Sequence, residues 1–521
     1  MRGKPGYVRY EVNARGQILR QMERVEPVPG NDIQLTIDLT YQQYAEQALE
    51  TSLKLRRRVD AGTVRLPDGT QDPAFAEENL YKAPAGSSVL LNNVTGEVIA
   101  MASYPNFDNR WFGSGISSEK FQQLFPQTKD PDMAIMVNRA VSGRYNLGST
   151  FKPFTAYAAL NTGQLVGGSE FVYKDQGTYK LESIPNGRCN EGVKCVFKNA
   201  FCASTNSPCT YGPVNVESAL AVSSDTFFYK IGEQILTQRG YKPILEEQVR
   251  LFGFGSPTGI DLPYEFGGAL PSKALKKQLA DDGAISKEEG RAFYVGDNVQ
   301  FAIGQGLLSA TPIQLAVAYS ALANGGSVVT PHVVKAILVP GTPDGDSGFI
   351  DIAQMVVEKD FTQGRIQREI DMKKENRDPI VNGLRRVIEG KGVDFGYYHK
   401  ATGELLFKNY ARKTLPIAGK TGTAQGFGNL PWNDSSAFGA FSLSPQAEYK
   451  YAAFAYLEKS GYGSQAAAPV VKCMYIALAG KYRFDTVNAA DPLNTNSSLA
   501  AQPTYLRNPS CLVSGRSESR D

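Results

Sequence analysis

Histidine is almost missing from this chain: only His332 and His399 occur in 521 residues. Neither sits in a setting that suggests a Ser-His pair, so activation of a hydroxyl by imidazole is not the chemistry to look for. Long apolar runs are missing as well. No stretch approaches the roughly 18–20 residues that span a bilayer. Residues 1–30 are charged and polar, without the apolar core of a signal peptide. Charge of one sign is scarce too. The formal net charge is +3, and no basic block exceeds Arg56-Arg57-Arg58, which reads as a solvated helix end. Nucleic-acid binding is therefore unsupported. The six cysteines include no C-x-x-C pair, which weakens zinc, and no internal repeat is present.

What is there describes an ordinary globular protein with ample core, at 42% hydrophobic and 21% charged residues. Its length allows two or three domains. Three short motifs follow one another: Ser149-Thr150-Phe151-Lys152, Ser223-Ser224-Asp225 and Lys420-Thr421-Gly422-Thr423. An enzyme that must activate a hydroxyl without histidine can use a desolvated lysine, whose neutral amine is a competent base. Pro153 marks a helix first turn and places Ser149 at or beside the helix N-terminus, ahead of the apolar run Phe154 to Leu160. There the Ser149 N–H is free to face a developing oxyanion. Lys152, three residues on, shares its face. A second S-x-x-K match, Ser117 to Lys120, lies in a polar stretch without an apolar run behind it and reads as coincidence.

Ser223-Ser224-Asp225 follows the apolar segment Ala219 to Val222 and begins the amphipathic run Thr226 to Leu236. A serine on a short rigid link between helices is better positioned than one in a loop. That favours it over the rival Ser204-Thr205-Asn206. Lys420-Thr421-Gly422-Thr423 reads as a sheet edge, with strand-like runs Ala437 to Leu443 and Tyr449 to Leu457 behind it. Lys420 is expected to project into a cleft, Gly422 to let a substrate backbone approach, and the Thr423 N–H to oppose that of Ser149.

Together the motifs resemble the signature of class B penicillin-binding proteins, most closely the elongation-type branch. The similarity extends to Pro29 to Asp38, Ala102 to Asp108, Gly253-Phe254-Gly255 with Thr258-Gly259-Ile260, and Ile303-Gly304-Gln305-Gly306 with Thr311-Pro312. It runs from about residue 30 to about 480. The second motif ends in Asp225 where the wider superfamily usually has Asn, and Ser-x-Asp marks the elongation branch. The resemblance implies an α+β, penicilloyl-serine-transferase fold: an antiparallel sheet flanked by helices, with an all-helical lobe. It implies residues 1–30 as a pedestal remnant, 31–483 as the transpeptidase domain and 484–521 as a disordered tail. It also implies an anchor helix upstream of Met1 and an extracytoplasmic site at the cell membrane.

The implied chemistry is acyl transfer without cofactor or metal. A peptidoglycan stem peptide ending in D-Ala-D-Ala lies along the Lys420 strand, its carboxylate near Thr421, Thr423 and Lys420. Ser149 attacks, Lys152 takes the proton, and Ser223, coupled to Lys152 or Lys420, relays it to the departing D-Ala. β-Lactams trap Ser149, and a membrane glycan polymerase is the implied partner. The alternatives are a β-lactamase and a non-catalytic β-lactam sensor or scaffold. Cys189, Cys195, Cys202 and Cys209 cluster in a loop-rich segment, suggesting one or two disulfides of open pairing, ahead of zinc.

The remaining organisation is coarse. A strand Ile33 to Leu39 precedes a helix Thr40 to about Arg57, capped by Asp38 or Thr40. A polar insertion covers Val59 to Lys82. A hairpin pairs Ser87 to Leu91 with Glu97 to Met101. Helices are expected to dominate from about 150 to 325, interrupted by the cysteine loop, with a charged insertion at 339–380 and another with a small hairpin at Lys391 to Lys413.

Overall fold

A computed structural model describes residues 2–59, 80–113, 115–126, 134–185, 194–202, 207–238, 240–341, 355–393, 401–403, 406–407, 410, 415–426, 433–443, 450–479 and 510–512. Strands β1 (Tyr7–Val12) and β2 (Ile18–Val25) form an exposed antiparallel ribbon within the first 30 residues. The next strand, β3, covers Asp32–Leu35 only. It stops short of Leu39 because Asp38 caps helix α1 (Leu39–Arg56), its carboxylate accepting from Thr40 N at 2.9 Å and Tyr41 N at 3.2 Å. The hairpin β4 (Gly86–Asn92) and β5 (Val98–Tyr104) follows as expected.

Helices α2 (Ser118–Leu124) and α3 (Arg139–Ser142) lead to a 3-10 turn at Gly148–Phe151, which runs on into α4 (Lys152–Asn161). The segment after α4 interrupts the helices, as expected, but begins ahead of the cysteine loop. It contains short strands β6 (Tyr173–Asp175), β7 (Thr178–Lys180), β8 (Val196–Lys198), β9 (Phe201–Cys202), β10 (Ser207–Pro208) and β11 (Gly212–Val214). They pair as β6 with β11, β7 with β8 and β9 with β10. None exceeds three residues, so the period-two pattern is too brief to register in a sequence window. Helices then return: α5 (Val216–Val222), α6 (Asp225–Thr237), α7 (Ile244–Arg250), α8 (Lys273–Asp281), α9 (Val295–Ala302) and α10 (Pro312–Asn324).

The stretch read as a charged insertion at 339–380 is more ordered than its composition suggests. Strands β12 (Ser327–Val329) and β13 (Val334–Leu338) pair with β15 (Ile366–Glu369) and β14 (Val357–Asp360) respectively, and β13 also pairs with β3. Helix α11 (Lys374–Glu389) begins inside it and buries Ile380, Leu384, Val387 and Ile388. Most of the 391–413 insertion, and with it the expected hairpin, lies outside the described residues. The chain closes with β16 (Ile417–Ala424), β17 (Ser435–Ser442), β18 (Tyr451–Leu457) and α12 (Ala467–Ala479).

The central sheet has the antiparallel order β16-β17-β18-β4-β5, so β16 is an edge strand, as its motif suggested. Helices α1 and α12 cover one face and α10 the other. With helices on both faces, every residue of β18 after Tyr451 is buried. Gly439 lets α10 approach, since a Cβ there would meet the Tyr319 ring at 2.7 Å. Beneath the serine turn, Phe151, Phe154, Phe252, Phe254 and Phe301 pack edge-on or stacked in one buried cluster. Of the stretch 484–521, Ser510–Leu512 forms a 3-10 turn docked on the core. Cys511 is disulfide-bonded to Cys473 on α12, and Cys511 and Leu512 are buried.

Candidate active site

Ser149 sits in the 3-10 turn that feeds α4, with Pro153 in the helix first turn. The turn is clamped from both ends. Leu147 N and Gly148 N donate to Gly304 O at 3.0 and 2.9 Å, Thr150 Oγ1 donates to Leu147 O at 2.6 Å, and Tyr319 Oη donates to Thr150 O at 2.8 Å. Gly148 has φ 53°, and a Cβ there would lie 2.3 Å from Thr423 O. Only glycine permits this contact between the serine turn and β16. Ser149 is 9% exposed and lines a cleft of about 500 Å³ together with Asp225, Gln305 and Thr423. Ser117, in contrast, is an exposed N-cap of α2 whose Oγ accepts from Lys120 N.

The second motif is a hinge between two helices. Ser223 ends α5 in the left-handed region (φ 62°, ψ 38°), and Ser224 caps α6. A non-glycine residue held there costs of order 1–3 kcal/mol and persists only where its surroundings over-determine it. Two side chains outside the motif do that. Asn199 Oδ1 accepts from the N–H groups of Asp225 and Thr226, each at 2.9 Å, which are otherwise orphan donors of the α6 first turn. Asn199 Nδ2 donates to Asp175 at 2.9 and 3.0 Å and to Cys209 O at 2.7 Å. Asp175, itself buried, also accepts from Ser224 Oγ at 2.5 Å and Gly177 N at 2.8 Å.

Both lysines converge on Ser223. Lys152 Nζ donates to Asp225 Oδ1 at 2.7 Å, Ser223 O at 2.8 Å and Ser223 Oγ at 3.3 Å. Lys420 Nζ donates to Ser223 Oγ at 2.8 Å and Thr421 O at 2.9 Å. Neither side chain is exposed. The Ser223 hydroxyl thus bridges two amines. Asp225 is an acceptor here, in keeping with a carboxylate in place of the amide more usual at that position. Lys152 and Asp225 are within salt-bridge distance, and charge-assisted hydrogen bonds of this kind are the strong ones.

Of the third motif, Thr423 reaches the cleft and its Oγ1 is buried without a hydrogen-bond partner among the described residues. Gln305 Nε2 donates to Thr423 O at 3.0 Å and holds that peptide in place. Thr421 and Gly422 each have close neighbours within the protein. The Thr421 hydroxyl donates to Thr402 Oγ1 at 2.7 Å and is fully buried. A Cβ on Gly422 would lie 2.8 Å from both Thr150 N and Thr150 Cγ2, so this glycine makes room for the serine turn.

Sequence reasoning missed Asn199 and Asp175, single polar residues in a loop-rich segment with no motif around them. It also missed Asp434, which lines the cleft, accepts from Gly426 N at 3.1 Å, and is pushed up to about 6 by burial. Glu233 on α6 was missed too. Its buried carboxylate accepts from Tyr179 Oη, the N–H groups of Glu182 and Ser183, and Ser183 Oγ, tying β7 to α6. Its neighbourhood and burial push the Tyr179 phenol upward, with burial the larger cause. Cys195 and Cys209 are disulfide-bonded, as favoured over zinc. Cys189, the side chain of Cys202 and the rival motif at 204–206 lie outside the described residues.

The comparisons with known proteins agree with this geometry. Residues 86–475 match the family model described as the penicillin binding protein transpeptidase domain. Over 366 residues the chain is 31% identical to the peptidoglycan D,D-transpeptidase MrdA of Escherichia coli, covering 68% of this chain and 47% of that protein. The chain thus spans about half the length of the curated relatives it matches. Its fold is similar to Pseudomonas aeruginosa PBP2, with 27% identity, a TM-score of 0.60, and coverage of 87% of this chain and 79% of that one. A chain from a structure described as structural coordination of polymerization and crosslinking by a peptidoglycan synthase complex gives 27% identity and a TM-score of 0.66, covering 93% of this chain and 69% of that one. With a serine turn, a bridging serine and two buried lysines at one cleft, and a family match across most of its length, the chain belongs to the penicillin-binding protein transpeptidase family.

Proposed function

We propose that this chain is the catalytic part of a serine D,D-transpeptidase that cross-links peptidoglycan stem peptides through an acyl-enzyme on Ser149. The observation that carries the reading is the meeting of Lys152 and Lys420 at Ser223 Oγ, beside the Ser149 cleft. Ser149 attacks the penultimate carbonyl of a D-Ala-D-Ala terminus, and the N–H groups of Ser149 and Thr423 receive the oxyanion. Lys152 takes the serine proton after passing one of its own on. Its two exits are the Asp225 carboxylate and the Ser223 hydroxyl, which leads to Lys420. The same hydroxyl returns a proton to the leaving D-Ala. The unpartnered Thr423 Oγ1 is the donor for the substrate's terminal carboxylate, which the buried Lys420 charge also favours. Attack by an amine of a second stem peptide completes the cross-link.

β-Lactams enter the same path and remain on Ser149. The enzyme works on the outer side of the cell membrane beside a glycan polymerase of wall elongation, a reading supported by its likeness to a chain of a peptidoglycan synthase complex. Fluorescent penicillin labelling followed over time tests the reaction. A stable adduct is expected, lost in Ser149→Ala and kept in Ser117→Ala. Rapid turnover points instead to a β-lactamase, and absence of any adduct to a non-catalytic scaffold. Adduct on Ser149→Ala protein, read by intact mass, sinks the nucleophile assignment.

A further inference from the structure

Strand β8 has two unlike faces. Its inner face is locked: Cys195 and Phe197 are buried, Cys195 is disulfide-bonded, and the Phe197 ring lies 5.2 Å from that of Tyr229 on α6. At its end, Asn199 is bonded to the α6 N-terminus beside Asp225. The strand is therefore rigid with respect to the catalytic groups. Its outer face carries Val196 and Lys198, and Lys194 lies just ahead of the strand; all three are exposed and line the cleft that contains Ser149, which Phe197 and Asn199 line as well.

The partner strand adds to this charge. Lys180 stands opposite Val196 in the β7–β8 register, and Thr178 opposite Lys198. Lys180 is thus a diagonal neighbour of Lys198, at roughly 7–8 Å in such pairs, and Lys194 lies two residues before its partner Val196. Like charges at that spacing oppose pairing of the strands, and among the described residues none of the three forms an ion pair. Lys194 lies over the Phe197 ring at 5.2 Å, its one described contact of this kind. The cleft's carboxylates do not neutralise the patch. Asp225 is paired with Lys152, and Asp434 accepts from Gly426 N on the other wall.

We propose that the outer face of β8 is an anion subsite of the transpeptidase cleft, where Lys194 and Lys198 bind a second carboxylate of the acyl donor, distinct from its C-terminal one. The proposal rests on the reaction assigned above, and it narrows the substrate to donor peptides that carry an acidic side chain. A donor with a carboxamide at that place lacks the charge that the subsite reads. The pair of cations also draws acidic donors toward the cleft, an effect that salt weakens.

The test compares two synthetic D-Ala-D-Ala peptides that differ only in one internal side chain, carboxylate or carboxamide. Release of D-Ala is followed with the full chain and with Lys194→Gln/Lys198→Gln. Each exposed charge pair near 4 Å is worth about fivefold in binding. The double variant should therefore lose roughly 20-fold in kcat/KM on the carboxylate donor, mostly through KM, and stay within about twofold on the carboxamide. The loss should shrink at high ionic strength. Labelling by a penicillin whose acyl side chain is uncharged should be the same in both proteins. Equal losses on the two donors, or no loss on either, overturn the subsite. A full chain that labels with penicillin yet shows no preference between donors overturns it as well while leaving the reaction intact. Absence of any adduct on the full chain overturns the reaction itself and the subsite with it.

Discussion

The sheet that presents Lys420 and the lobe that presents Ser223 and Asp225 meet at an ammonium–hydroxyl contact, yet they are held by different forces. Strand β16 is laddered to β17 along its whole length, from Ile417 opposite Ser442 to Ala424 opposite Ser435, beneath helices. Backbone pairing and burial place Lys420 with little help from polar side chains. The lobe has strands of two or three residues, too short to hold a register by ladders. There, buried polar groups do the placing: Asp175 and Asn199 at the α6 N-terminus, Glu233 against the β7 turn, with disulfides at Cys195 and Cys209. A ladder loses little when one side chain is changed. A buried polar network loses the desolvation cost of every group left unpaired.

Lys152 stands at the seam, and its replacement should have the largest effect. Arginine keeps the charge for Asp225 but does not deprotonate in proteins. Lys152→Arg should lower the penicillin acylation rate by about 10²–10⁴ with little change in thermal melting. A rate within a few-fold of the parent shifts the base to Lys420 acting through Ser223, and the sheet then carries more of the chemistry than the lobe.

Asn199→Ala tests the lobe alone. It strands the N–H groups of Asp225 and Thr226 and removes a donor from Asp175, and should cost about 2–4 kcal/mol in denaturant unfolding. Acylation of the folded fraction should also fall, because Asp225 and Ser223 lose their support. Unaltered acylation by folded protein means that the ladder side suffices to place the second motif.

Gly422→Ala is the matching change in the sheet. The new methyl meets Thr150 N, and overpacking of this kind costs about 1–3 kcal/mol. The strain falls on the serine turn, so slower acylation should exceed any fall in melting temperature. A large fall in melting with normal acylation of the survivors reverses the comparison.

The smallest effect is expected at Asp434, across the cleft. Burial raises its carboxyl from 3.8 to about 6, so the folded state holds that proton more tightly than the unfolded chain. The stability this contributes is present at acid pH and is lost as pH rises from about 4 to about 6. Asp434→Asn should be more stable than the parent by about 1–2 kcal/mol at pH 7, and equal to it near pH 4. Parallel stability curves for the two proteins across that range would mean that the carboxyl is not buried as described.

Much of the site could be read before any coordinates. The three motifs, the helix behind Ser149, the hairpin β4–β5 and the edge strand β16 all rest on local rules: a proline in a first turn, alternation along a strand, a serine between apolar runs. Such rules act over a few residues and survive in a linear string. Helix α11 has a buried apolar face, yet it was read as part of a charged insertion because its polar residues dominate the composition.

What the string could not show were partnerships across distance. Asp175 and Asn199 are 24 residues apart, and Asn199 meets Asp225 26 residues later. Lys152 and Lys420 meet only through Ser223, which is 71 residues from one and 197 from the other. The polar surroundings of Lys152 follow from that meeting, and the packing of Thr421 and Gly422 follows from which neighbours β16 faces. Sequence by itself determined the reactive groups and the elements that bear them, because reactivity and local conformation are properties of short segments. Tertiary structure alone decided which hydroxyl bridges the lysines, which carboxylate pairs with Lys152 and which cations line the cleft, because hydrogen bonds and ion pairs depend on distances that chain closure sets.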